Sequence, residues 1–209
     1  VLLFGLVMGG IYGGLFTATE AAGIGASGAL AFAVAHRGMS WADIGRVVVD
    51  SALVSASMIG IVLGAAMFVK FINLTGVHKG LETLVRTSGA SPFGVILMII
   101  AIYIVLGCLL ESLSLILITV PIFFPIVIGL GYDPVWFGII VVVATEIGLI
   151  TPPIGVNLFV IRSVVSDIPM KTIVQGMLPF ISVDIVRIGM LAALPALSLW
   201  LPNLLFGTG

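Results

Sequence analysis

Two adjacent prolines, Pro152 and Pro153, interrupt a long apolar run in the second half of the chain. Proline has no backbone N–H, so the carbonyls of Gly148 and Leu149 lose the donors that a continuous helix would give them. In hydrocarbon an unsatisfied carbonyl costs several kcal/mol and persists only where protein, water or an ion satisfies it. The pattern therefore predicts a helix break whose backbone oxygens can bind a cation without a buried counter-charge.

A second group of polar residues, Glu111, Ser112 and Ser114, lies between two apolar segments, Pro92–Leu110 and Leu115–Leu130. The 16 residues of the later segment rise only about 24 Å as a helix, less than the roughly 30 Å thickness of the hydrocarbon layer. Two interpretations are open on spacing alone. The segments form either a re-entrant hairpin with a polar tip near mid-membrane, or two ordinary spans joined by a polar turn at the surface.

Glu111 and Glu146 are carboxylates within apolar sequence, and each lies beside a predicted helix break. Such groups are either proton carriers or acceptors for the N–H groups that the breaks release. We favour the second interpretation for both.

Hydrolysis within the membrane is an alternative in which Ser112 or Ser114 would be the nucleophile and Glu111 a neighbouring acid. The hydrophobic segments contain no histidine to act as a base, and the motifs G-x-S-x-G and H-E-x-x-H are absent. A channel would require a ring of repeated polar filter residues from several subunits. We therefore do not expect an enzyme, and saturable uptake that needs a sodium gradient would distinguish a carrier from a channel.

The composition is that of an integral membrane protein. Hydrophobic residues make up 61% of the chain and charged residues 8%, and the mean hydropathy is +1.37, whereas soluble domains carry about 25% charged residues. Long apolar segments without strand alternation predict an all-α fold. A net charge of −1 gives no electrostatic basis for nucleic-acid binding. The single cysteine, Cys108, excludes an internal disulfide, and no Cys/His cluster offers a zinc site.

The pattern predicts four parts along the chain. Residues 1–38 contain the end of a span and a helix that restarts at a capping box formed by Thr17 and Glu20. The remaining parts are a long helix with a short amphipathic interfacial helix (39–90), the hairpin candidate 92–130 with the broken helix 134–165 (91–173), and a C-terminal span (174–209).

The broken helix is predicted to consist of two half-helices, Asp133–Ile150 and Ile154–Val165. Together they exceed 30 residues, or about 48 Å as one straight helix, which is too long for a single span. The last span is predicted to run from about Val174 to Leu201, with Pro195 bending it and Pro202 closing it.

Three motifs in order resemble the large membrane subunit of TRAP transporters, the tripartite ATP-independent periplasmic family that includes dicarboxylate and sialic-acid carriers. They are Gly9–Ala22, Leu110–Ser114 with the Pro121–Pro125 run, and Gly148–Gly155 followed by Asn157. The likeness covers nearly all 209 residues and corresponds to the C-terminal half of that subunit. Ala18 departs from the family pattern, which usually has proline there. The apolar start without an initiator methionine fits a fragment of a longer chain.

The resemblance implies one inverted-repeat half of an elevator-type carrier of the ion-transporter superfamily, with a re-entrant hairpin and a broken transmembrane helix. The implied site residues fall into three groups. They are a Na⁺ site at Gly107, Gly148, Thr151 and Ile154; a hairpin tip and substrate site at Glu111, Ser112, Ser114 and Asn157; and the helix break at Pro152 and Pro153.

The resemblance also implies the partners. A periplasmic binding protein delivers an organic acid anion such as a C4-dicarboxylate or sialic acid, a small membrane subunit supports the scaffold, and Na⁺ drives uptake across the bacterial inner membrane. No organic cofactor is expected. Another carrier of the ion-transporter superfamily is the alternative.

Overall fold

The computed structural model describes residues 1–87, 89–152, 154–165 and 167–206. In these residues the chain is helical, and it forms two compact units, residues 1–58 and 59–209. The helices are α1 (Leu2–Tyr12), α2 (Ala18–Arg37), α3 (Trp41–Thr75), α4 (Val77–Thr87), α5 (Pro92–Gly107), α6 (Ser112–Gly129), α7 (Pro134–Ile150), α8 (Val156–Val164), α9 (Met170–Ala193) and α10 (Ala196–Phe206).

Among the described residues, four helices are long and apolar enough to cross a membrane: α2, α3, α6 and α9. The apolar helices α1, α5, α7 and α10 are shorter. Most large apolar side chains of α3 are exposed, as expected where lipid rather than water covers them. The predicted all-α integral membrane class is therefore confirmed.

The first unit contains α1, α2 and the beginning of α3. The predicted capping box at the start of α2 is confirmed, because Glu20 N–H donates to Thr17 Oγ1 at 3.3 Å and Thr17 N–H donates to the Glu20 carboxylate at 2.7 Å. A small residue lets α1 and α2 approach closely. A Cβ at Gly28 would lie only 2.6 Å from Leu3 Cδ1.

The second unit is built around α7, which packs against α5, α6 and α9. Asp133 caps α7 by accepting hydrogen bonds from the N–H groups of Val135 and Trp136 at 2.7 and 3.0 Å. This agrees with the start of the first predicted half-helix at Asp133. The predicted amphipathic helix is α4, whose Leu81 and Val85 pack against the buried core of this unit.

Helices α5 and α6 form an antiparallel pair with its turn at Glu111. The Tyr103 ring lies 5.8 Å from the Phe123 ring, and the Tyr103 and Thr119 hydroxyl oxygens are 2.6 Å apart. Tyr103 and Thr119 are equally far from Glu111 along the chain. The helix–turn–helix shape is common to both interpretations of this segment, and its depth in the membrane stays a prediction.

The C-terminal span predicted from about Val174 to Leu201 is interrupted at the predicted bend at Pro195, because α9 ends at Ala193 and α10 begins at Ala196. The predicted closure at Pro202 is wrong, because Pro202 lies inside α10. The fixed φ of proline is compatible with a helix, so a helix that continues through a proline leaves only one carbonyl without its usual donor. Unwinding in hydrocarbon would release several more polar groups. α6 likewise continues through two internal prolines.

The break before α10 is stabilised by a side chain of α7. Pro195 has no N–H to donate to the carbonyl of Leu191, four residues earlier. The N–H of Leu194, three residues after Leu191, is not available either, because it donates to the Met190 carbonyl. The indole Nε1–H of Trp136, a fully buried residue, donates to the Leu191 carbonyl at 2.8 Å. This bond satisfies the carbonyl that proline leaves without a donor and joins α7 to α9.

Replacing the indole donor should therefore destabilise the second unit. We expect Trp136→Phe to lower the free energy of unfolding by about 1–3 kcal/mol, since the Leu191 carbonyl loses its donor, with a further loss from the smaller ring. The measurement is thermal unfolding of the purified protein in detergent. Trp200→Phe is the matched control, because Trp200 is 67% exposed; equal shifts for both variants would contradict a role for the indole bond.

Candidate functional site

The predicted helix break is confirmed between α7 and α8. Helix α7 ends at Ile150, and Thr151 is extended with φ −95° and ψ 131°. The chain re-enters a helix at Val156 after Gly155, whose φ of +54° lies in the left-handed region. A Cβ at Gly155 would come within 3.0 Å of the Thr151 carbonyl oxygen, so the turn requires glycine. Pro153, the second predicted proline of the break, lies outside the described residues.

Thr151 satisfies two carbonyls at the end of α7. Its N–H donates to the Gly148 carbonyl at 3.0 Å, and its hydroxyl donates to the Ile147 carbonyl at 2.5 Å. The expectation that the Gly148 carbonyl lacks a donor is therefore wrong. Pro152 removes the donor four residues away, but the last turn tightens and the Thr151 N–H, three residues away, replaces it.

The Leu149 carbonyl has no N–H at either helical spacing, because the residues three and four positions later are Pro152 and Pro153. Leu149 is buried. The carbonyls of Ile147 and Gly148 each keep a second lone pair beyond the hydrogen bond from Thr151. The end of α7 thus collects several neutral oxygens, which can bind a hard monovalent cation.

Two of the predicted Na⁺ residues are in direct backbone contact. Helices α5 and α7 cross so closely that a Cβ at Gly148 would lie 2.6 Å from Gly107 Cα and 2.8 Å from the Ile104 carbonyl oxygen. A Cβ at Gly107 would lie 3.0 Å from the Thr145 carbonyl oxygen. Only glycines permit this crossing, which brings the end of the first hairpin helix to the broken helix.

Cys108 lies beside the break although the sequence did not identify it as a site residue. Its Sγ is 3.1 Å from the Ile104 carbonyl oxygen and 3.9 Å from that of Pro152. A cavity of about 200 Å³ adjoins it. The residues around this cavity are Ile104, Val105, Cys108, Leu109, Thr151 and Pro152. The sequence could have indicated Cys108, because it directly follows Gly107. A residue next to the glycine crossing must lie close to the break.

The Glu111 carboxylate caps α6 at the hairpin turn. It accepts hydrogen bonds from the N–H groups of Leu113 and Ser114 at 2.9 and 3.0 Å and from the Ser114 hydroxyl at 3.3 Å. Ser112 is the first residue of α6. This geometry is that of an acceptor for released N–H groups, the interpretation favoured for Glu111. Glu146 is exposed on α7.

The N-terminus of α8 differs from that of α6 because its N-cap residue, Gly155, has no side chain, whereas the Glu111 carboxylate caps α6. Asn157 lies in its first turn and is exposed, and Ile154 in the break is 39% exposed. Among the described residues, no hydrogen bond joins Asn157 to Glu111, Ser112 or Ser114. The structure thus brings Gly107 and Gly148 together with Thr151 adjacent, and it leaves the hairpin tip and Asn157 unconnected.

Neutral oxygens dominate the break. Within the described part of the chain, no group of three or more His, Cys, Asp and Glu side chains converges. Transition metals prefer nitrogen and sulfur ligands, and doubly charged ions prefer carboxylates. The donor set at the break therefore fits Na⁺ better than either of those classes.

Sequence reasoning missed two buried hydroxyl groups in the hairpin. Tyr103 and Thr119 are both buried, and their hydroxyl oxygens are 2.6 Å apart. The sequence could have indicated this contact, because Tyr103 and Thr119 lie at equal distances from the predicted turn. Two antiparallel helices place such residues opposite each other.

Comparison with known proteins gives a consistent family match. The family model for the tripartite ATP-independent periplasmic transporter, DctM component, matches residues 1–197. A C4-dicarboxylate TRAP transporter large permease protein from Pseudomonas aeruginosa is 36% identical over 97% of this chain and 48% of its own length.

Two further relatives carry other names. The sialic acid TRAP transporter large permease protein from Vibrio cholerae is 31% identical over 98% of this chain and 48% of its own. The isethionate TRAP transporter permease protein DctMQ from Oleidesulfovibrio alaskensis is 34% identical over 93% of this chain and 31% of its own. The chain thus spans about half the length of the large permease proteins that it matches.

The glycine crossing yields a direct test. We expect Gly148→Ala to destabilise the protein by about 1–3 kcal/mol or more, because the new methyl group must separate α5 from α7. The measurement is the thermal unfolding midpoint in detergent.

Gly138→Ala is the control in the same helix. A Cβ there meets nothing within 4 Å, so alanine should stabilise α7 by about 0.5–1 kcal/mol or leave it unchanged. Equal tolerance of alanine at both positions would refute the close crossing.

Proposed function

Because the chain belongs to the DctM component family of tripartite ATP-independent periplasmic transporters, we propose that it is part of a large permease subunit that uses a Na⁺ gradient to import an organic acid anion. The three relatives described above are named for C4-dicarboxylate, sialic acid and isethionate. All three are organic acids that are ionised at neutral pH. The relatives are transporter permeases by name, and we do not propose an enzymatic activity.

In this proposal Na⁺ binds where α5 crosses the end of α7. The observation that carries it is the backbone contact between Gly107 and Gly148 beside the oxygen-rich turn at Thr151. Gly107, Gly148, Thr151 and Ile154 supply the ligands, mainly as carbonyl oxygens with the Thr151 hydroxyl. A site of neutral oxygens suits a monovalent ion, because it stabilises one positive charge without requiring a buried carboxylate.

The organic anion binds at the N-terminus of α8. The Glu111 carboxylate already accepts from two N–H groups of α6, whereas α8 lacks a side-chain cap and exposes Asn157 in its first turn. The positive end of an uncapped helix attracts a carboxylate or sulfonate. Glu111, Ser112 and Ser114 then shape the opposing hairpin tip, which is re-entrant in this proposal.

The whole carrier moves its site by an elevator mechanism and contains a second, inverted repeat. Its partners are a periplasmic binding protein, which delivers the anion, and a small membrane subunit. The compound name DctMQ of one relative supports the small subunit as a partner. The complex lies in the bacterial inner membrane. The four candidate membrane spans of the described residues support a multi-pass arrangement.

Substitution of Thr151 tests the sodium site in the complete transporter. Thr151→Val keeps the side-chain shape and removes the hydroxyl, so we expect the Na⁺ concentration for half-maximal uptake to rise several-fold, with a factor of ten for each loss of about 1.4 kcal/mol. Thr151→Ser keeps the hydroxyl and should have little effect. The affinity of the binding protein for substrate should not change in either variant.

A purely structural role of Thr151 predicts a different pattern, because the hydroxyl also caps the Ile147 carbonyl. Thermal unfolding with and without NaCl, at ionic strength held constant with a bulky cation, separates the two roles. A lost ligand reduces the stabilisation by Na⁺, whereas a lost cap lowers stability equally in both buffers. Wild-type sodium dependence of uptake in the valine variant would remove Thr151 from the ion site.

A further inference from the structure

The two helices of the hairpin are joined by one buried chain of hydrogen bonds. Thr119 Oγ1 is 2.7 Å from the Leu115 carbonyl oxygen and 2.6 Å from Tyr103 Oη. The single proton of the threonine hydroxyl goes to the carbonyl, so the tyrosine hydroxyl donates to Thr119. The Tyr103 side chain is fully buried, and Thr119 is 6% exposed, so neither hydroxyl has water as an alternative partner.

This bond lies next to the weakest part of α6. Pro121 and Pro125 are inside the helix, and neither can donate to the carbonyl four residues earlier. A helix with two missing backbone bonds bends more easily than a regular one. The Tyr103–Thr119 bond fixes α6 against α5 just before the first of these prolines.

Tyr103 also lies one helical turn before Gly107, on the same buried face of α5. The backbone of Gly107 contacts that of Gly148, so there is no intervening side chain to absorb a shift of α5. A change in the register of α5 against α6 therefore changes the position of Gly107 at the broken helix.

We propose that the Tyr103–Thr119 hydrogen bond is a positioning device that sets the hairpin register and so holds Gly107 in the geometry that binds Na⁺. The proposal rests on the function proposed above. Tyr103 and Thr119 do not touch the ion; they act through Gly107.

The test compares single and double variants in the complete transporter. Tyr103→Phe or Thr119→Val alone removes one partner, and Thr119→Val also leaves a buried tyrosine hydroxyl without an acceptor. The double variant Tyr103→Phe/Thr119→Val removes both hydroxyls and leaves no polar group unpaired, and the Leu115 carbonyl keeps its helical donor. Such paired replacements are often neutral for stability. The double variant therefore separates positioning from folding.

Three quantities are measured for each variant: the thermal unfolding midpoint, the Na⁺ concentration for half-maximal uptake, and the N-ethylmaleimide alkylation rate of Cys108, followed by mass spectrometry of its peptide. Cys108 is buried and its Sγ lies 3.9 Å from the Pro152 carbonyl oxygen. A shift of α5 at the break should therefore expose it.

We expect the double variant to keep the wild-type unfolding midpoint while both its half-maximal Na⁺ concentration and its Cys108 alkylation rate rise about threefold or more. Thr119→Ser keeps the bond and should behave as wild type. Tyr132→Phe is the control for loss of a tyrosine hydroxyl, because Tyr132 stacks on Trp136 at 4.7 Å and lies just before α7, away from the crossing.

If the double variant shows the wild-type sodium dependence and the wild-type alkylation rate, the bond contributes only to folding and the proposal is overturned. Faster alkylation with unchanged sodium dependence would also overturn it, because the register would then have no effect on the ion site. If wild-type uptake itself does not depend on Na⁺, the proposed function fails, and the alkylation rate alone still decides whether the bond sets the hairpin register.

Discussion

A backbone carbonyl without a donor inside hydrocarbon is the constraint on which this structure depends. Prolines create such carbonyls at several points, and each break is resolved by a particular neighbour. The Trp136 indole donates to the Leu191 carbonyl beside Pro195. Thr151 uses both its N–H and its hydroxyl on the carbonyls at the end of α7. Where no donor is available at helical spacing, as at Leu149, the oxygen needs another partner, and in the proposed function that partner is Na⁺.

The close approach of the α5 and α7 backbones is the second constraint on this structure. It brings a second helix to the break at the end of α7. The crossing at Gly107 and Gly148 places the end of one hairpin helix against the end of the broken helix. Larger residues would hold these helices apart and separate the backbone of Gly107 from that of Gly148. In the proposed function, the glycines thus serve the ion site through the space that they leave, in addition to their own carbonyl oxygens.

The N-termini of α6 and α8 differ in their capping, and this difference suits them to different roles. Glu111 occupies the released N–H groups of α6 with its own carboxylate. Helix α8 begins after Gly155 without a side-chain cap. A carboxylate at the first N-terminus repels an anion, whereas an uncapped N-terminus attracts one. If the chain functions as proposed, this asymmetry favours the broken helix over the hairpin tip as the element that binds the anion.

The sequence by itself determined the membrane class, the helix break, the capping box at Thr17 and the family, because these depend on composition, on missing N–H groups and on local spacing. It did not determine which carbonyls find a donor. The Gly148 carbonyl is satisfied within one turn, and the Leu191 carbonyl is satisfied by a residue 55 positions away. Nor did it place Tyr103 against Thr119. Such partners meet only when helices pack, since a hydrogen bond depends on distance in space and not on separation along the chain.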